Sequence, residues 1–232
     1  MIFESMASSS KGNAYIVSDG QTRLLVECGV SYKKLKKLCG FDSAGVAGCL
    51  VSHEHKDHSH CAKDLIASGT MVYMSCGTAG ALELENTEQI RHGEQFEVGT
   101  LSVVPFTTYH DAREPLGFLI RSRLDGEVLV FAADTVNLGY QFPGVTILAV
   151  EANFDEAILD RSTHIPDKVK DRIRKSHMEI EVLCRYLKTL DLSSCREIHL
   201  MHLSDATSHE GHFIHKVQRA VPEGIRVTAC GR

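Results

Sequence analysis

Short apolar runs alternate with polar breaks along the whole chain. "NAYIVS" (13–18) and "TRLLVEC" (22–28) flank "DGQ", a break made of turn-forming residues, and the pair predicts a β-hairpin. Further runs predict strands at "AGCLVS" (47–52), "MVYMS" (71–75), "LSVVPFTT" (101–108), "LGFLIRS" (116–122), "EVLVFAA" (127–133), "VTILAVE" (145–151), "EIHLMHL" (197–203) and "IRVTAC" (225–230). Between them the apolar spacing lengthens to that of a helix. "YKKLKKLC" (32–39) puts Leu35 and Leu38 on one face, and "SHCAKDLIAS" (59–68) and "CGTAGALELE" (76–85) read as short helices. "EIEVLCRYLKTL" (179–190) lines up Ile180, Leu183, Cys184 and Leu187. The first half is rich in hairpins, and the second alternates strand and helix. That order predicts an α/β or α+β arrangement of two sheets with helices outside, with residues 1–232 forming one domain.

Composition narrows the class. A hydrophobic fraction of 43% supports a sizeable core, and the mean hydropathy of −0.09 argues against disorder. The chain carries 25 Lys and Arg against 30 Asp and Glu, a formal net charge of −5, so it has no global attraction for nucleic acid or anionic membrane. A local basic patch remains possible in "RSTHIPDKVKDRIRKSH" (161–177), where a solvated helix face is the simpler reading. No apolar run is long enough to span a bilayer, and the N-terminus lacks the pattern of a secretory signal. Eight cysteines are scattered without a C-x-x-C pair, several inside apolar runs. They read as reduced core residues of a cytoplasmic protein.

The chemistry lies at the strand ends. "VSHEHKDHSH" (51–60) holds His53, His55, Asp57 and His58 just after an apolar run. His110 follows the strand at 101–108, Asp134 follows 127–133, and His202 lies at the end of "EIHLM". Rigid strands ending in such groups are common scaffolds for reactive sites. Imidazole and carboxylate suit Zn²⁺, Fe²⁺ or Mn²⁺. Four ligands within six residues crowd a single ion, and two ions a few ångström apart accommodate them better. A solvated polar loop without an ion is the alternative for the decapeptide alone, and the three later donors weigh against it. Glu54 and Lys56 read as outward-pointing spacers, and His60 has no assigned role.

The motif H-x-H-x-D-H with the later His, Asp and His in order resembles the metallo-β-lactamase superfamily. The resemblance covers nearly the whole chain and implies an αββα four-layer sandwich of two mixed β-sheets flanked by helices. It implies two divalent ions, zinc before manganese, with His53, His55 and His110 on one, Asp57, His58 and His202 on the other, and Asp134 bridging. "SSSKGNAYIV" (8–17), "YHDAREPLGF" (109–118), "EANFDEAIL" (151–159) and "MHLSD" (201–205) resemble the YycJ/WalJ-type subgroup, near ribonuclease Z and PhnP-like phosphodiesterases. Asp134 in place of Cys, and His58 in place of Arg, argue against β-lactam hydrolases proper. The interval 135–201 is too short for the extra domain of the β-CASP nucleases, and no long Gly/Pro-rich arm of the tRNA-processing kind is visible.

If a phosphodiester binds across the two ions, Asp57 has a second role, orienting the attacking hydroxide or taking its proton. By the same resemblance a His paired with a Glu assists the leaving group. His177, oriented by Glu151, protonates the leaving alkoxide. The family has "GHLSN" where this chain has "SHMEI" (176–180), so His177 is retained among altered neighbours. Without the resemblance, His177 reads as a polar residue opening the helix at 179–190. "SSSKGN" offers small residues that let backbone N–H groups approach a phosphate, or simply leads into the hairpin. Asn153 and Asp155 read either as groups that hold ligand imidazoles or as turn formers. His209, His212 and His215 recur every third residue, more as an exposed helix face than as a metal site.

Three functions compete. A metal-dependent phosphodiester hydrolase would act on nucleic acid ends or on nucleotides, with a cyclic nucleotide as the small-substrate form. A thioester or lactone hydrolase would use the same metal frame, and the Glu151–His177 pair and "DAREPLGF" speak against it. A non-catalytic metal-binding protein would not need all seven donors. A homodimer that completes the substrate pocket is a common arrangement in the superfamily.

Overall fold

A computed structural model describes residues 1–38 and 45–231, and Cys39, which the sequence places at the end of the first helix, lies outside the described residues. The chain divides into two compact units. The first comprises Met1–Thr107, Ala112–Glu127 and Gly231, and the second Thr108–Asp111 and Val128–Cys230.

In the first unit, strands β1 (Ile2–Ala7), β2 (Ala14–Ser18), β3 (Arg23–Val26), β4 (Cys49–Leu50), β5 (Val72–Met74) and β6 (Glu88–Gln89) lie side by side in chain order. β1 to β3 form an antiparallel meander, and β3 to β6 are parallel. The hairpin expected around "DGQ" is the β2–β3 pair, whose turn Asp19 closes by accepting hydrogen bonds from Gln21 and Thr22. Helices α1 (Tyr32–Leu38), α2 (Lys56–Ser59), α3 (Ala62–Ala67) and α4 (Cys76–Ala81) accompany the sheet. Ile16, Leu25, Val51, Leu65 and Met74 are buried in one cluster. Three further strands, β7 (Phe96–Val98), β8 (Leu101–Thr107) and β9 (Leu116–Ser122), pair antiparallel.

Two sequence expectations change here. The helix expected at 59–68 is α3, shorter at its start, and a separate single turn, α2, precedes it from Lys56. Leu38 is 38% exposed rather than sharing the buried face of Leu35.

In the second unit, β10 (Val128–Ala132), β11 (Ile147–Glu151), β12 (Glu197–Met201) and β13 (Arg226–Ala229) run parallel in that order. β10 and β11 are buried at every position, which is why they read as unbroken apolar runs rather than alternating ones. The connections carry α5 (Glu156–Arg161), α6 (Asp167–Ser176), α7 (Ile180–Leu187) and α8 (Glu210–Gln218). Asp155, Glu179 and His209 cap α5, α7 and α8 through their side chains. The predicted stripe of Ile180, Leu183, Cys184 and Leu187 is the buried face of α7. Among the described residues every cysteine is free, and no helix is long and apolar enough to cross a membrane.

Candidate metal centre

Parallel pairing determines where the second unit puts its polar groups. Ala132 is level with Val150, and Glu151 with Met201, so β10, β11 and β12 end at one edge. Asp134, Glu151 and His202 sit at or just beyond those carboxyl ends, the usual site of chemistry in open α/β sheets. Asp134 (φ 38°) and His202 (φ 54°) adopt left-handed backbone that non-glycine residues rarely take. Both are nearly fully buried. Such strain in buried polar residues marks a position held for a purpose.

Asp134 turns its two oxygens toward different imidazoles. Oδ2 lies 3.5 Å from His110 Nε2 and 3.9 Å from His177 Nδ1, while Oδ1 lies 3.1 Å from His202 Nδ1. Asp134, Glu151, His177 and His202 each bring one ligand atom within 4.8 Å of the others. His110 donates from Nδ1 to the Ser176 carbonyl at 2.6 Å, so Nε2 keeps the lone pair. Burial holds the His110 imidazole below its ordinary pKa despite the charge of Asp134. A neutral ring of this tautomer is what a metal needs. Asn153 Nδ2 donates to the His202 carbonyl at 2.9 Å and lies 3.2 Å from its Nδ1, so it holds an imidazole as one of its two readings expected. Asp155 holds none of the predicted ligands: it caps α5 and pairs with Lys216 at 3.2 Å.

Glu151 is fully buried, and His202 Nδ1 lies 3.4 Å from its Oε1. Glu151 accepts from His177 Nδ1 at 2.6 Å, from the Thr135 amide at 2.7 Å and from the Met178 amide at 3.2 Å. Burial pushes the Glu151 carboxyl up, but the neighbouring His177 charge and the hydrogen bonds of His177 and His202 outweigh it, and the group sits below its ordinary range. Burial pushes His177 down, yet the charges of Glu151 and Asp134 hold it above its ordinary value. His177 does not open the 179–190 helix. It ends α6 in extended backbone (φ −133°, ψ 159°), and that break lets its ring turn back to Glu151.

The first unit carries the other donors. Beyond β4 the chain bends at Glu54 with His53 and His55 on either side of it, and α2 then supplies Asp57 and His58 from its single turn. The His53 ring lies 4.7 Å from that of His55 and 4.3 Å from that of His58. Ser52 Oγ engages His53 Nδ1 at 2.8 Å. His58 Nδ1 faces Glu27 Oε1 at 3.4 Å, and its Nε2 faces Asp57 Oδ2 at 3.4 Å and Asn13 Nδ2 at 3.2 Å. A buried imidazole backed by a carboxylate on one nitrogen and set beside a second carboxylate on the other fits a divalent cation. By the same chemistry the cluster of the second unit fits one too.

A family model described as the β-lactamase superfamily domain matches residues 22–202. The chain belongs to the β-lactamase superfamily. Among curated relatives it is 29% identical over 219 residues to exodeoxyribonuclease YycJ of Bacillus anthracis, covering 87% of this chain and 82% of that one. It is 28% identical over 185 residues to exodeoxyribonuclease WalJ of Streptococcus pneumoniae, covering 72% and 68%. Its fold matches the metallo-β-lactamase fold protein YhfI of Bacillus subtilis with a TM-score of 0.74 at 17% identity, covering 99% and 97%. It also matches a diphosphatase of the PhnP family (TM-score 0.67, 14% identity, 99% and 94%). The short form of human tRNase Z follows (TM-score 0.63, 14% identity, 99% and 96%). The expected fold class of two mixed β-sheets flanked by helices is that of the superfamily, and the chain is a metal-dependent hydrolase within it.

Glu54 is not an outward spacer: its Oε1 accepts from the Arg113 amide at 2.8 Å, anchoring "DAREP". The basic patch at 161–177 divides. Lys170 is buried with Nζ on the Asp160 carbonyl, and Arg174 pairs with Glu156, Asp160 and Asp171, while Lys168, Arg172 and Lys175 line one hollow with Asp111. His199 has partners in Glu197 and Thr228. His209 is a helix cap, and His212 is 3.4 Å from Asp155. Sequence reasoning missed Glu27, Asn13 and Ser52 as supports of the turn that carries His53, Asp57 and His58. Glu27 ends the apolar run "RLLVE", and its full burial and left-handed backbone (φ 65°) appear only in the fold.

Proposed function

We propose that the chain hydrolyses phosphodiester bonds at nucleic acid ends, using two divalent ions held by seven side chains. His53, His55 and His110 would hold one ion, Asp57, His58 and His202 the other, with Asp134 shared, as the family motif implies. Zinc suits this donor set, and manganese is the alternative. When bound, such ions supply a nucleophile at neutral pH and neutralise charge on the phosphate oxygens.

The observation that carries the choice of phosphodiesters is the Glu151–His177 pair at 2.6 Å beside Asp134 and His202. An alkoxide leaving group needs a proton, and a His kept cationic by a buried carboxylate delivers one. Glu151, itself fixed by two backbone amides, orients the ring. Asp57 orients or deprotonates the attacking water. The names of the YycJ and WalJ relatives favour DNA as the polymer.

The test is metal analysis of the purified protein, followed by turnover on end-labelled DNA and RNA, cyclic nucleotides and bis-p-nitrophenyl phosphate, with a thioester as the contrast. Cleavage of DNA ends is expected. Activity on the thioester with none on any phosphodiester overturns the reading.

A further inference from the structure

A hollow of about 270 Å³ in the first unit is lined by Ser10, Lys11, Ser31, Lys34, Lys56 and Asp57. His60, Gly29 and Val30 complete the lining. Three lysines thus line one hollow in a chain whose net charge is −5. The single acid among its lining residues is Asp57, which the proposed function assigns to a metal ion. Its volume falls just below the roughly 300 Å³ at which pockets for whole small molecules begin. It suits one charged group of a larger ligand.

The walls are locked together. The Asn13 amide donates to the Asp57 carbonyl at 2.8 Å, Gly29 to Asn13 at 2.8 Å, and Cys28 to His58 at 2.8 Å. A Cβ on Gly29 would lie 1.6 Å from the Asp57 carbonyl oxygen, and one on Gly12 would lie 2.6 Å from the Gly29 oxygen. The segments carrying Lys11 and Lys56 therefore meet backbone to backbone, and only glycine permits the approach. A charged hollow built on backbone contacts is organised before its ligand arrives, which lowers the cost of binding.

We propose that this hollow receives a phosphate monoester at the end of the nucleic acid strand, next to the phosphodiester to be cut. A terminal monoester carries nearly two negative charges where an internal diester carries one, so three lysines favour the end over the interior. The inference rests on the phosphodiesterase reading above and deepens it by naming what marks the substrate.

The test uses one fluorescent oligonucleotide sequence bearing a 5′-phosphate, a 3′-phosphate or only hydroxyl ends. Binding is read by anisotropy, and turnover as the ratio of kcat/KM between phosphorylated and hydroxyl ends. One phosphorylated end is expected to bind about tenfold more tightly than hydroxyl, the worth of one charge-assisted contact. Lys11→Gln with Lys34→Gln should bring both ratios to about one, and lysine-to-arginine changes at the same positions should keep the preference. The proposal falls if the wild type does not discriminate, or if discrimination survives the double glutamine variant. If the protein binds phosphorylated ends selectively but cuts no phosphodiester, the hollow stands and the catalytic reading fails.

Discussion

An imidazole bound to a fully buried carboxylate is a different acid from one in water. His177 is such a group: its Nδ1 donates to Glu151, which leaves the proton on Nε2 as the one a leaving group can take. His177→Ala is expected to lower turnover about 10²–10⁴-fold, the usual worth of a positioned acid. Metal content, read by plasma emission spectroscopy, should stay near that of the wild type, and its loss would turn the residue from proton donor to ligand. Glu27 acts at the other end of the chemistry. It is fully buried and faces His58 Nδ1, while its second oxygen accepts from the Ser52 amide at 3.3 Å. Glu27→Gln keeps the shape and removes the charge. It should weaken metal affinity about 10–100-fold, measured by competition with a chromophoric chelator.

At the scale of elements, strand ends and helix caps carry the positioning. Asp155 accepts from the Ala157 and Ile158 amides and opens α5 right after "EANF". Asp155→Ala should cost about 0.5–2 kcal/mol in chemical denaturation, the range for a lost N-cap. Burial pushes the Asp155 carboxyl up, but Lys216 and the two amides outweigh it and hold it below its ordinary value. A depressed folded-state pKa means that the contribution is complete above the unfolded carboxylate pKa. It is lost as the pH falls through the lower, folded value. The gap in melting temperature between wild type and Asp155→Asn should therefore narrow under acid. Gly29 offers the sharper test of the ligand turn: Gly29→Ala drives a methyl into the Asp57 carbonyl. A loss of at least about 1–3 kcal/mol is expected from overpacking, and an unchanged melt would contradict the close approach.

For the molecule as a whole, charge matters through its placement. Acids outnumber bases by 30 to 25, yet lysines gather beside Asp57 in one unit, and Lys168, Arg172 and Lys175 gather beside Asp111 in the other. Binding of single strands should weaken with salt even so, because local cations release counterions whatever the net charge. Metal removal should also be felt globally. Ions that bind the folded chain and not the unfolded one stabilise it by about 2.7 kcal/mol at a hundredfold excess over Kd. A chelator should lower the melting temperature measured by calorimetry, and added zinc should restore it.

The ligand motif, the strand runs and the buried stripe of α7 were determined locally, because each depends on residue type at fixed spacing along one element. "VLVFA" and "ILAVE" could be read as strands since both faces are buried, and H-x-H-x-D-H could be read as a cation site since its donors lie within one turn. Tertiary structure decided what faces what. Glu27 lies far from His58 in sequence, and a lone acid after "RLLV" looks no different from a solvated one until β3 sets it against the ligand turn. The basic segment 161–177 has six Lys and Arg that look equivalent in sequence, and only packing turned Lys170 and Arg174 to acidic and carbonyl partners. His60, which the sequence left without a role, gained a place because three chain segments meet around one hollow. Composition and spacing specify which chemistry a chain can hold. Side-chain partners depend on contacts between residues distant in sequence, and only the folded backbone brings those together.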